Sequence, residues 1–153
     1  MSEEVEFEVK LSSEWHNDPL KFELLLDDKL IDSGELIEKK ANKEARTLTF
    51  KESLDEGEHT IKIRMLGKTG KHTIVDNDNN IVADMLLNVD SISIDQIDLG
   101  HLVHKLSVFY PNETFAKMSG IPTEIPNLTC IGYNGEFRLK FQVPTYLWLL
   151  ENF

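Results

Sequence analysis

Asp76, Asp78 and Asn80 place side-chain oxygens on alternate residues, the spacing with which a loop gathers donors around a hard cation such as calcium. Asp84, a little further on, adds another carboxylate to the same candidate set. The helix–loop–helix form of such a site is excluded, because its sixth position is Ile81 instead of glycine and its twelfth is Leu87 instead of glutamate. Asparagine also tolerates left-handed backbone, so the same residues make a β-hairpin turn with no metal at all. Both readings stand on the sequence.

The other chemistry-bearing residues point less firmly. Gly67-Lys68-Thr69-Gly70 imitates part of a phosphate-binding loop, but the glycine required five positions earlier is Lys62, and His72–Val75 reads as strand where a helix is needed. His101 and His104 stand three apart without the cysteines or second histidine pair that zinc would take, and read as solvated. Cys130 lies in an apolar strand and is expected to be a small buried residue. Carboxylates are so abundant that pairs of them carry no glycosidase signal. Aromatic rings say more: Trp15 and Tyr110 sit in or beside predicted loops, where a ring stacks on a sugar, while Tyr146, Trp148, Leu149 and Phe153 form an apolar terminus suited to docking.

Strands must position these groups. Val5, Phe7, Val9 and Leu11 alternate with Glu4, Glu6, Glu8 and Lys10, which predicts a half-buried strand with a charged outer face. Leu20–Leu26 and Leu30–Ile37 flank an Asp27-Asp28-Lys29 turn as a hairpin, with the second strand interrupted near Gly34. Residues 38–46 form a charged connection. A strand around Leu48 and Phe50, an acidic turn at Asp55–Glu58 and a strand over His59–Leu66 suit antiparallel pairing with each other. Alternation also predicts strand over Val89–Ile97, and Leu102–Phe109 reads as strand or helical turn. Pro111, Gly120, Pro122 and Pro126 mark an irregular excursion over 111–128, and Pro122 and Pro126 are candidate partner contacts. Thr129–Tyr133 and Glu136–Val143 flank Asn134-Gly135, the strongest hairpin signal in the chain. Pro144–Phe153 is a short helix or an extended docking tail that must pack on something.

Composition narrows the function classes. The chain of 153 residues falls in the single-domain range, and residues 1–153 are expected to form one domain. Its net charge of −11, spread along the chain, disfavours nucleic acid. The single cysteine rules out an internal disulfide, and the acidic, alternating start has no export signal, so synthesis in a reducing cytoplasm is expected. No apolar run approaches the roughly 20 residues of a membrane-spanning helix, so no membrane is expected as partner.

Between His59 and Leu99 the succession GEHTIKIRML, a glycine-rich break, TIVDNDNNIVADMLLNV and ISIDQIDL resembles the central strands of calcium-dependent, xylan-binding-type carbohydrate-binding modules. The K-T…T…D-x-D-x-N…I…D segment followed by I-x-I-D is also similar to small structural proteins of tailed bacteriophages. The resemblance covers residues 20 to 110. It implies an all-β fold, an antiparallel jelly-roll-like β-sandwich, and a non-enzymatic role. On the phage side it implies a virion component (capsid decoration, neck or tail) made in the host cytoplasm, docked to other virion proteins as a homo- or hetero-oligomer and touching a cell-surface glycan. On the phage side no cofactor is expected; on the module side the resemblance implies calcium-dependent carbohydrate binding. In those modules calcium and sugar hydroxyls meet at Asp- and Asn-rich loops beside an aromatic ring; no Trp or Tyr adjoins Asp76–Asp84 here.

Overall fold

In the computed structural model, which describes residues 2–153, the alternating strands do what their patterning requires. β1 (Ser2–Glu14) buries Val5, Phe7, Val9 and Leu11 completely and turns its glutamates outward. It pairs antiparallel with β4 (Arg46–Asp55) along one edge and with β8 (Leu86–Ile94) along the other. β9 (Ile97–Asp98) and β12 (Cys130–Ile131) also pair with β8 and complete the first sheet. The second sheet runs in the order β11 (Ile125–Pro126), β10 (Val108–Pro111), β13 (Gly135–Val143), β5 (Gly57–Leu66), β2 (Leu20–Leu26), β3 (Lys29–Leu36). Between the sheets lies one core in which the Phe7 ring stacks on Phe50 at 4.8 Å and meets Phe141 edge-on at 5.6 Å. The fold is an antiparallel jelly-roll-like β-sandwich.

Three pairings differ from the sequence expectation. β4 and β5 are not partners: the turn at Asp55–Gly57 carries the chain from one sheet to the other. Each strand contributes an inward face to the same core, Leu48 and Leu54 from one side, Ile61, Ile63 and Met65 from the other. β4 pairs instead from Ser2↔Asp55 to Leu11↔Arg46, and β5 from Gly57↔Val143 to Met65↔Gly135, so both gain long ladders. Asn134-Gly135 is likewise a junction between sheets and not a hairpin, with β12 paired to β8 and β13 to β5 and β10. The glycine is required by close approach: a Cβ at Gly135 would lie 2.4 Å from the Tyr110 carbonyl oxygen. Finally, the strand over Val89–Ile97 stops at Ile94. Asp95 and Gln96 both take positive φ and reverse the chain into β9, while a bulge opposite Lys10 and Leu11 resets the alternation.

Smaller differences follow local chemistry. Gly34 stays inside β3, and Gly70–His72 is a single 3-10 turn, leaving β6 as Ile74–Val75 paired with β7 (Ile81–Ala83). Cys130 is exposed, on the outer side of its strand. Its thiol pKa is raised, chiefly by partial desolvation and then by Glu14.

Short helices close the sandwich. α1 (Leu102–Leu106) precedes β10, and α2 (Glu113–Ser119) lies within 111–128. α2 is started by the Asn112 side chain, which accepts from Phe115 N at 3.2 Å, and stopped by left-handed Gly120. The terminus forms α3 (Thr145–Asn152), burying Trp148 against Phe141 together with Leu149. Its first residue is held twice: Thr145 N donates to Glu3 Oε1 at 2.9 Å, and Thr145 Oγ1 to Asp95 Oδ2 at 2.7 Å. No helix among the described residues is long and apolar enough to cross a membrane.

Candidate functional site

The loops after β1, β5, β7, β10 and β12 gather around one half-buried ion pair. Asp84 follows β7, and its Oδ1 accepts from Lys68 Nζ at 2.6 Å, Thr73 Oγ1 at 2.7 Å and Met85 N at 2.8 Å. The Lys68 ammonium also donates to the Gly132 carbonyl at 2.6 Å, which joins the loops after β5, β7 and β12 at one point. Both side chains are largely out of solvent, 13% and 20% exposed. Burial pushes the Asp84 carboxyl upward, yet Lys68, Thr73 and the Met85 N–H together outweigh it and hold its pKa below the ordinary value. Asn134 clamps the same loop: its Oδ1 accepts from Lys68 N at 3.0 Å and its Nδ2 donates to Lys68 O at 2.8 Å.

Two grooves flank the pair. The first, about 490 Å³, is lined by Lys68, Thr69, Thr73, Asn112, Phe115 and Tyr133. Phe115 and Tyr133, each more than a third exposed, bring their ring centroids to 5.2 Å at 37°, an apolar wall. Asn134 spends its amide on Lys68, Thr73 Oγ1 donates to Asp84 and Thr69 Oγ1 accepts from Lys71 N, so the polar groups left for a ligand are the Asn112 amide nitrogen and the Tyr133 hydroxyl. The second groove, about 380 Å³, holds Trp15, His16, Lys39, Asn42, Ala83 and Asp84. Here Trp15 Nε1 donates to Ile37 O at 3.3 Å, and Lys39 Nζ lies 4.0 Å from the ring centroid, so one face of the indole is already covered by an ammonium. His16 Nδ1 is buried without a hydrogen-bond partner.

The residues singled out from sequence are distributed widely. Asp76, Asp78 and Asn80 cap the tip of the β6–β7 hairpin, where Asp76 Oδ1 accepts from Asp78 N at 2.8 Å and Asn80 N at 2.9 Å. Those bonds, the Asn80 N–H first, lower the Asp76 pKa. Asp84 sits at the opposite end of the hairpin, beyond the Ile74↔Ala83 rung. A calcium ion needs roughly six to eight oxygen donors converging at one point. The four residues do not fit that demand: one carboxylate is turned onto its own loop, another is neutralised by Lys68, and among the described residues no three His, Cys, Asp or Glu side chains converge. Trp15 and Tyr110 share no groove, since Tyr110 lies under the Arg138 guanidinium at 3.9 Å. In α3, Tyr146 is exposed, as is Phe153 just after it, while Trp148 and Leu149 point into the core. Pro122 and Pro126 are both exposed, the latter in β11.

Lys68, Phe115 and Tyr133 escape a sequence reading. For Phe115 a signal existed in Asn112, a helix N-cap that predicts α2 and its exposed ring. Nothing along the chain couples Lys68 to Asp84.

No protein-family model matches the chain, and no curated protein matches it. Two solved structures share its architecture. One is vCBM60 in complex with galactobiose, with a TM-score of 0.50 and 11% identity over 88% of this chain and 96% of that one. The fold is similar to that of this carbohydrate-binding module. The other is a selenomethionine form of vCBM60, described with two families of calcium-dependent carbohydrate-binding modules linked by circular permutation; it gives 0.52 and 12% over 88% and 89%. At these identities the likeness speaks for architecture alone.

Proposed function

We propose that this chain is a non-catalytic carbohydrate-binding module and that the Phe115–Tyr133 groove receives the sugar. The observation that carries this reading is the paired rings beside the Asn112 amide nitrogen and the Tyr133 hydroxyl, in a groove of about 490 Å³, on a sandwich shared with vCBM60. Aromatic faces take the C–H face of a pyranose, and the surrounding amide and hydroxyl take its hydroxyl groups. Because Asp84 cancels the Lys68 charge, the floor is neutral and favours an uncharged glycan over a uronic acid. Calorimetry against neutral soluble polysaccharides and their oligosaccharides tests it. Phe115→Ala and Tyr133→Ala should each weaken binding at least tenfold, about 1.4 kcal/mol, without a change in fold. A glycan screen without hits, or binding untouched by both substitutions, would remove the proposal.

A second reading, attachment to other virion proteins, draws support from α3. Tyr146, Leu147, Leu150 and Phe153 are 61%, 46%, 75% and 61% exposed and form an apolar face beside the buried Trp148. Sedimentation across a concentration series should show association that Leu150→Glu abolishes. A wild-type chain that stays monomeric and joins no particle ends this reading.

A further inference from the structure

The point where the loops meet is held by an ammonium group. Lys68 Nζ sits 2.6 Å from the Asp84 carboxylate and 2.6 Å from the Gly132 carbonyl, two oxygen ligands of the kind a hard cation takes, supplied by two different loops. The lysine backbone is fixed from both sides by Asn134, so the ammonium is delivered to that spot by a preorganised stem. Thr73 Oγ1 and Met85 N complete the shell of the same carboxylate oxygen. A divalent ion would have to displace all three donors to take Asp84 Oδ1, and would meet the Lys68 ammonium beside it at any other approach to that oxygen. In the other oxygen-rich segment Asp76 turns its Oδ1 onto the N–H groups of Asp78 and Asn80, at the far end of the hairpin from Asp84.

We propose that Lys68 acts as a covalently tethered cation, bridging the loops after β5, β7 and β12 among ligands that would otherwise suit a metal, and that the groove end of this module is organised without calcium. The bridging role is independent of the glycan reading; only its extension, that sugar binding survives chelation, rests on it.

Thermal unfolding of the full chain in EDTA and in millimolar calcium chloride, with calorimetric titration of calcium alone, tests the proposal. The wild type should melt within about 1 °C in both buffers, because a ligand shifts the melt only when it binds the folded state. It should also show no saturable calcium heat. Lys68→Met should lower the melting temperature by roughly 5 °C in EDTA, because it leaves a largely buried carboxylate without its countercharge. Stoichiometric calcium binding by the wild type, a calcium-dependent rise in its melting temperature, or a Lys68→Met chain that melts like wild type in EDTA would each overturn it. If Lys68→Met fails to fold, the two wild-type measurements still decide. A chain that passes both and binds no glycan discards the sugar reading and leaves this one standing.

Discussion

Two acidic regions at the ends of one short hairpin behave in opposite ways. At the tip, Asp76, Asp78 and Asn80 are exposed, and the Asp76 carboxylate serves the turn that contains it. At the base, the single carboxylate of Asp84 draws a lysine from one loop and, through it, a carbonyl from another. The tip satisfies itself within the five residues from Asp76 to Asn80, whereas the base couples positions 68, 84 and 132. A local turn contributes little beyond its own geometry. A partly desolvated charge with three donors, by contrast, makes several loops depend on one another.

Removing Asp84 should separate the two regions most sharply. Asp84→Ala leaves the Lys68 ammonium enclosed and unpaired, and is expected to cost about 3 kcal/mol, or roughly 6–12 °C in melting temperature. A loss no larger than an ordinary surface change would show that the base is as dispensable as the tip. Asp84→Asn should have a milder effect that depends on pH. The folded-state pKa of Asp84 is depressed, so its stabilisation is present above the unfolded value of about 3.9 and disappears as pH falls through the folded value. Melting curves from pH 6 down to pH 2 should therefore converge for wild type and Asp84→Asn at the acid end, and parallel curves would contradict the pairing. The smallest effect belongs to the tip: Asp76→Ala should move the melting temperature by no more than about 2 °C. A larger fall would mean that the hairpin tip supports the loops below it.

The same contrast explains what the sequence discloses. Local features were legible: the span Leu20–Leu26, the alternation of Val5–Leu11 and the turn at Asp76–Asn80 each depend on near neighbours, and each occurs in the structure. Pairing between distant segments was not. β4 and β5 look like a hairpin because both alternate around an acidic glycine turn, but alternation reports only which face is buried and not which sheet the strand joins. Asn134-Gly135 carries the strongest turn signal, yet Gly135 is needed for the close approach of Tyr110, and Asn134 for its clamp on Lys68. The site suffered most. Phe115 and Tyr133 meet only after α2 and β12 have been placed, and the Lys68–Asp84 pair joins a motif set aside for phosphate to a residue considered for calcium.

The position of β13 bears on how this protein is made. It is the last long strand in chain order and an interior one, hydrogen-bonded to β5 on one side and β10 on the other. During synthesis, β2, β3 and β5 can assemble as the nascent chain emerges, but the inner edge of β5 must wait until residues 135–143 have left the ribosome. Until then it presents an open ladder with Ile61, Ile63 and Met65 beneath it, the kind of edge that recruits a second chain. Closure by such sequence-distant partners is slow compared with local pairing, so the interval between translation of β5 and β13 is the period in which this chain is most exposed to misassembly.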